Sequence, residues 1–199
     1  MREEEKALEE VRKLCERLRR DGCALLAIDG RCGSGKTTLA EYLHQKYECP
    51  VIHMDDFYLP KNHRTKERLQ IPGGNVDWER FLQEVLRPLR TGKPAVYRPY
   101  YCKENTFGEP KTACPGPLTI IEGSYSLHPS LRVFYDDEVF LTVSKEEQER
   151  RILKRSNPEI LQLYKENWIP MEERYFSNYR IEEGCSLVLD TTGYRALSF

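Results

Sequence analysis

Residues 30 to 37, Gly-Arg-Cys-Gly-Ser-Gly-Lys-Thr, match the pattern G-x-x-x-x-G-K-[ST] without a gap. No other feature narrows the available folds as much, because the pattern has physical meaning only between a buried strand and a helix. Both flanks are present. The apolar run Cys23 to Ile28, bounded by Asp21-Gly22 and Asp29-Gly30, predicts a buried parallel strand. After the octet, Leu39, Tyr42 and Leu43 fall on one face of a predicted helix. Glycines at 30, 33 and 35 let main-chain N–H groups turn inward toward phosphate oxygens, at the positive end of that helix. Lys36 is the expected cation for the β- and γ-phosphates and the Thr37 hydroxyl the expected Mg²⁺ ligand. The expected nucleotide-holding set is Gly30, Arg31, Cys32, Gly33, Ser34, Gly35, Lys36, Thr37 and Thr38, with ATP and Mg²⁺ as cofactors.

The remaining strands are placed by apolar runs that end in acids or glycines. Val51 to Met54 predicts a second strand with Asp55 and Asp56 at its carboxyl end, where ligand crevices open in α/β sheets. A carboxylate there can accept the proton of an attacking hydroxyl, and it can equally cap a helix or a turn. Asp55 is taken as the base ahead of Asp56. Leu118 to Ile121 predicts a strand ending in Glu122, an expected metal-holding acid. Glu138 to Val143 and Ser186 to Leu189 complete about five mostly parallel strands. The fold class is therefore α/β: a three-layer phosphate-loop fold with helices on both sheet faces.

Between the strands, residues 1 to 22 predict an N-terminal packing helix stopped at Gly22, with Ala7, Leu8, Val11, Leu14, Cys15 and Leu18 on its apolar face. Leu59 to Gly74 reads as a mobile loop. A helix starts at Asp77, which caps it without being barred from ligand contact, and Pro88 frays or kinks its last turn. Residues 91 to 117, with Tyr97, Tyr100, Tyr101 and Phe107, predict a β-hairpin whose aromatics either stack on a flat ligand ring or pack together. Helical stretches at 144 to 156 and roughly 158 to 178 follow, and residues 144 to 170 form the expected lid. Spacing places Arg151 and Arg155 on one face, either to clamp a phosphoryl group or to pair with Glu146, Glu147 and Glu149.

The length of 199 residues predicts one domain, 1–199. A formal net charge of −1 argues against a nucleic-acid partner recruited by bulk charge. No apolar run approaches the roughly 20 residues that cross a bilayer, and the charged start Met1-Arg-Glu-Glu-Glu-Lys predicts no secretory signal. Seven scattered cysteines without a C-x-x-C pair predict reduced thiols and a cytoplasmic location. Homo-oligomerisation stays open.

Taken together, Gly30 to Thr37, Asp55-Asp-Phe-Tyr58, Asn75-Val-Asp77, Ile121-Glu-Gly123 and Arg151-Ile-Leu-Lys-Arg155 resemble the uridine kinase and phosphoribulokinase superfamily of phosphate-loop kinases. The resemblance covers nearly the whole chain after the first helix. It implies that Asp55 is the base toward a ribose 5′-hydroxyl and that Lys36, Arg151 and Arg155 serve transfer. It implies an acceptor held by Asp55, Tyr58, Asp77, Tyr100 and Arg151, and a metal held by Thr37 and Glu122. The acceptor so implied is a small molecule, a nucleoside such as uridine or cytidine. Three departures bear on it: Tyr101 and Asn105 replace the hairpin Asp and His, Lys154 replaces a lid Arg, and Ser156-Asn157-Pro158 replaces the usual continuation of the lid. Other small alcohols are nicotinamide riboside, pantothenate, glycerate or a sugar phosphate. A nucleotide switch without transfer is the rival of another class, but no Asn-Lys-x-Asp guanine reader is present.

Overall fold

The computed structural model describes residues 3–194. Helix α1, Glu3–Asp21, has acids in its first turn and Arg19 and Arg20 in its last, matching the helix dipole. Gly22 at φ 72° ends it. Strand β1 then runs Ala24–Gly30, two residues further than its apolar run suggests, and Cys23 is an exposed turn residue at φ 54°. Asp29 enters the strand because four donors surround its buried carboxylate: the N–H groups of Gly30, Tyr125 and Leu127, and the Tyr175 hydroxyl. Gly30 lies so close to the neighbouring strand around Leu141 that an added Cβ would sit 2.0 Å from the Leu141 carbonyl oxygen.

Helix α2, Lys36–Tyr47, follows the loop. Strand β2 is only Val51–His53, since Met54–Phe57 turns into a 3-10 segment carrying Asp55 and Asp56. The expected loop at 59 to 74 contains a 3-10 turn, Lys61–His63, and a short helix α3, Lys66–Gln70, capped by the Thr65 side chain. The Asp77-capped helix comprises Trp78–Phe81, a wide π-turn Leu82–Leu86 and Arg87–Arg90. Pro88 has no N–H for the regular ladder, which accounts for the widened turn just before it.

The expected hairpin is two stacked antiparallel ladders. Strand β3, Ala95–Tyr97, pairs with β6, Lys111–Ala113; β4, Tyr100–Tyr101, pairs with β5, Thr106–Phe107. Strand β7 is Leu118–Glu122 and β8 is Asp137–Thr142. The lid helix is Lys145–Arg155. The last helix comprises Pro158–Leu163, a π-turn Tyr164–Trp168 and Ile169–Tyr179, and Pro170 stands two residues beyond the π-turn, just as Pro88 does. Strand β9, Leu187–Asp190, ends the sheet, one residue further along than Ser186 to Leu189.

The sheet order is β2-β7-β1-β8-β9, and every neighbouring pair is parallel. Alternation along β1 splits the core in two. Ala24, Leu26 and Ile28 pack with α1 and α2; Leu25 and Ala27 pack with the Asp77-capped helix and the last helix. Helices therefore cover both faces. The octet projects from the carboxyl end of β1, between the ends of β7 and β8, where ligands gather in open parallel sheets.

Candidate active site

A cavity of about 950 Å³ opens at that sheet edge, large enough for a sizeable ligand. Cys32, Gly33, Gly35, Lys36, Thr37 and Thr38 line its floor. Gly30, Arg31 and Ser34 do not. Gly30 lies beneath the loop, its carbonyl accepting a 2.7 Å bond from Lys36 Nζ. Arg31 turns outward to a bidentate pair with Glu173 and to the Thr142 hydroxyl. Ser34 is buried, its carbonyl accepting from the Thr191 hydroxyl. Gly33 and Gly35 adopt φ of 77° and 98°, values that favour glycine.

Thr37 and Glu122 face one another. The Thr37 hydroxyl stands 3.4 and 3.3 Å from the two Glu122 carboxylate oxygens. His53 Nδ1 bonds Glu122 from the other side, because the β2–β7 register sets the two residues opposite each other. That bond holds the His53 pKa above its ordinary value. The sequence carries no local sign of this role, since it depends on which strands become neighbours.

The two adjacent aspartates have different partners. Asp55 lines the cavity with Tyr58 and is hydrogen-bonded by it. The Asp55 side chain is open to solvent at the cavity, and crowding by the surrounding protein, ahead of the nearby Glu122 charge, still raises its pKa against the opposing pull of Lys36 and Tyr58. Asp56 forms a 2.8 Å ion pair with Lys111 on β6 and its carbonyl accepts from Arg80. Asp55 therefore belongs to the cavity and Asp56 to the hairpin attachment.

The lid helix is fastened to the loop by its first half. Gln148 Nε2 donates to the Cys32 carbonyl at 2.9 Å, and Arg151 donates to the Gly33 carbonyl, to both oxygens of Thr191, and to Glu147. Arg151 lines the cavity, but these bonds already engage its guanidinium. Arg155 is exposed at the rim, 5.8 Å from the Tyr164 ring centroid, beside Lys154. Tyr164 and Trp168, set by the π-turn at 4.5 Å between ring centroids, close the same wall. Their i, i+4 spacing is visible in the sequence, but they carry no motif.

Two further expected residues lie outside the cavity lining. The Asp77 carboxylate accepts from the Arg80 N–H as a helix cap. The Tyr100 hydroxyl donates to Asn105 Oδ1 at 2.6 Å and accepts from Lys61 N–H. The hairpin aromatics pack together: Phe57 against Tyr97 at 5.0 Å and Tyr100 against Phe107 at 5.3 Å. The cavity instead adds Arg64, Asn75, Cys102 and Glu172. Glu172 is buried, accepting bonds from the Cys32 N–H at 2.9 Å and the Ser124 hydroxyl at 2.6 Å. Burial raises the Cys32 thiol pKa well above its ordinary value, which keeps it protonated and unreactive. All seven cysteines are free, and among the described residues no helix is long and apolar enough to cross a membrane.

Five parallel strands in this order, with the glycine loop leaving the central strand, form an α/β phosphate-loop fold. A Bacillus stearothermophilus structure described as a possible uridine kinase superposes with a TM-score of 0.66 at 23% identity, covering 91% of this chain and 100% of its own. A Silicibacter sp. TM1040 structure, provisionally named a fructose transport system kinase, gives a TM-score of 0.63 at 21% identity over 84% of this chain and 90% of its own. A gluconokinase from Sinorhizobium meliloti 1021 gives 0.50 at 18% identity over 88% and 85%. No protein-family model matches the chain, and no curated protein matches it by sequence.

Proposed function

We propose that the chain transfers the γ-phosphoryl group of ATP to a hydroxyl of a small alcohol. One observation carries this reading: Asp55, with its raised pKa, shares a single cavity with the phosphate loop and with the Thr37–Glu122 pair. A base of raised pKa suits proton abstraction near neutrality. The Lys36 ammonium, held by the Gly30 and Arg31 carbonyls, is a cation for phosphate oxygens. A hydroxyl and a carboxylate are hard oxygen donors that suit Mg²⁺, so Thr37 and Glu122 are the residues that would hold it. Bound there, the ion supplies neutralisation of phosphate charge. Arg155 and Lys154 at the rim are free to close over the phosphates, while Tyr164 and Trp168 exclude water that would otherwise hydrolyse the donor.

The 5′-hydroxyl of uridine or cytidine is the acceptor that the sequence resemblance favours, and the Bacillus stearothermophilus neighbour is described in those terms. The other neighbours are named for fructose and gluconate. The bonds that engage Asp77 and Tyr100 leave the nucleoside reading with less support than the phosphotransfer reading. Free thiols favour the cytoplasm as the location.

The test is ADP release by the purified chain with Mg-ATP, with nucleosides, sugars and hydroxy acids against an acceptor-free background. Asp55→Asn is expected to lower transfer by about 10²–10⁴-fold, the usual worth of a general base, while fluorescent-nucleotide affinity stays within about twofold. Unimpaired transfer by this variant would remove Asp55 from the mechanism. ADP release indifferent to every acceptor would favour a nucleotide switch instead.

A further inference from the structure

We infer that the acceptor carries an anionic group, a carboxylate or a phosphate, and that Arg64 is the residue that selects it; this rests on the phosphotransfer reading above. Six basic side chains line the cavity against three acidic ones. Arg150 and Arg151 already share Glu147. Lys36, Lys154 and Arg155 belong to the loop and the lid, on the phosphate side. Arg64 comes from a different segment, after the turn that follows Tyr58, and is tied to Leu59 and Cys102.

Its position there is fixed by the backbone. Tyr58, the partner of Asp55, bridges to Val76. The next residue, Leu59, donates its N–H to the Asn75 carbonyl at 3.0 Å and accepts a 2.6 Å bond from Arg64 Nε at its own carbonyl. One short stretch thus holds Arg64 and Asn75 on the wall that carries the proposed base. The remaining contact of the guanidinium is Nη2 to the Cys102 sulfur at 3.2 Å, and Arg64 pairs with no carboxylate among the described residues. A half-buried guanidinium without a counter-charge is costly, and its planar fork matches carboxylate and phosphate oxygens.

Asn75 supplies the second observation. Its side-chain Oδ1 is buried and meets no donor in good hydrogen-bond geometry, the Tyr125 side chain being its nearest polar neighbour, and both residues line the cavity. A buried amide oxygen needs a donor, and a hydroxyl of the acceptor would provide one. A polyhydroxy acid or a phosphorylated alcohol satisfies both groups; a neutral alcohol leaves the Arg64 charge unanswered.

The experiment compares matched acceptors with Mg-ATP: glycerol beside glycerate and glycerol phosphate, glucose beside gluconate and glucose phosphate, and uridine. Wild-type chain, Arg64→Gln and Arg64→Lys are assayed, with fluorescent-nucleotide binding and melting temperature read separately. The expected result is a kcat/KM for a charged acceptor about tenfold or more above its neutral parent. Arg64→Gln should erase that preference through the acceptor KM, leaving nucleotide binding unchanged, and Arg64→Lys should restore part of it. The carboxylate and phosphate arms identify which anion is used. Equal turnover of neutral and charged acceptors overturns the inference and leaves the kinase standing, as does Arg64→Gln weakening nucleotide binding. If Arg64→Gln melts early, Arg64→Lys decides: full retention of the preference would mean that the fork has no role. Nucleotide binding without turnover of any acceptor overturns the phosphotransfer reading itself.

Discussion

Glu122 is buried, so its carboxylate needs partners, and it finds the Thr37 hydroxyl on one side and the His53 imidazole on the other. Partners that orient a ligating carboxylate typically govern metal affinity about 10–100-fold. His53→Ala should therefore raise the Mg²⁺ concentration for half-maximal transfer at least about tenfold, with kcat at saturating Mg²⁺ changing less. An unshifted Mg²⁺ curve would confine His53 to strand packing. At this scale the octet 30 to 37 is legible because it is contiguous. His53 and Glu172 are not, since they act on partners 69 and 140 positions away. Arg151 is legible as a cavity residue, yet its bonds to Gly33 and Thr191 depend on where β9 lies.

Secondary elements were easiest to place where apolar runs meet glycine or acid, as at β1, β7 and β8. Short polar elements were not: α3 is only five residues and depends on the Thr65 cap. The two π-turns follow one rule. In each case a proline two residues downstream withholds an N–H from the ladder, and the helix widens instead of breaking. The consequence differs by location. Ahead of Pro88 the turn lies in the core, with Val85 and Leu86 buried, whereas ahead of Pro170 it sets Tyr164 and Trp168 on the cavity wall. The first of these helices is anchored by its cap, so Asp77→Ala should cost about 1 kcal/mol in a denaturant melt. If acceptor KM also rises while folding is intact, Asp77 touches the acceptor besides capping.

For the molecule as a whole, strand membership could be read from the chain, but strand order could not, because parallel neighbours are chosen by tertiary packing. Two buried titratable groups give the assembled fold a pH signature. His128, stacked on Trp78 at 4.0 Å, has its pKa lowered to about 4 by burial. Asp29 has its pKa raised to about 6, also by burial. As pH falls from about 6.5 toward about 4, the unfolded chain takes a proton at His128 that the folded chain refuses, so stability falls. Asp29 acts oppositely: the folded chain binds a proton below about 6 that the unfolded chain takes only near 3.8, so stability from this group falls as pH rises through that window. His128→Asn loses the stack and should be less stable at pH 7. The deficit should shrink by about 2 kcal/mol at pH 4.5, measured by urea melts. A constant deficit would show that His128 titrates normally. Finally, the phosphate loop is completed by Thr191, whose hydroxyl bonds the Ser34 carbonyl across a separation of 157 residues. The brace that holds the loop from beneath therefore forms last: a chain leaving the ribosome cannot make this bond until residue 191 has emerged.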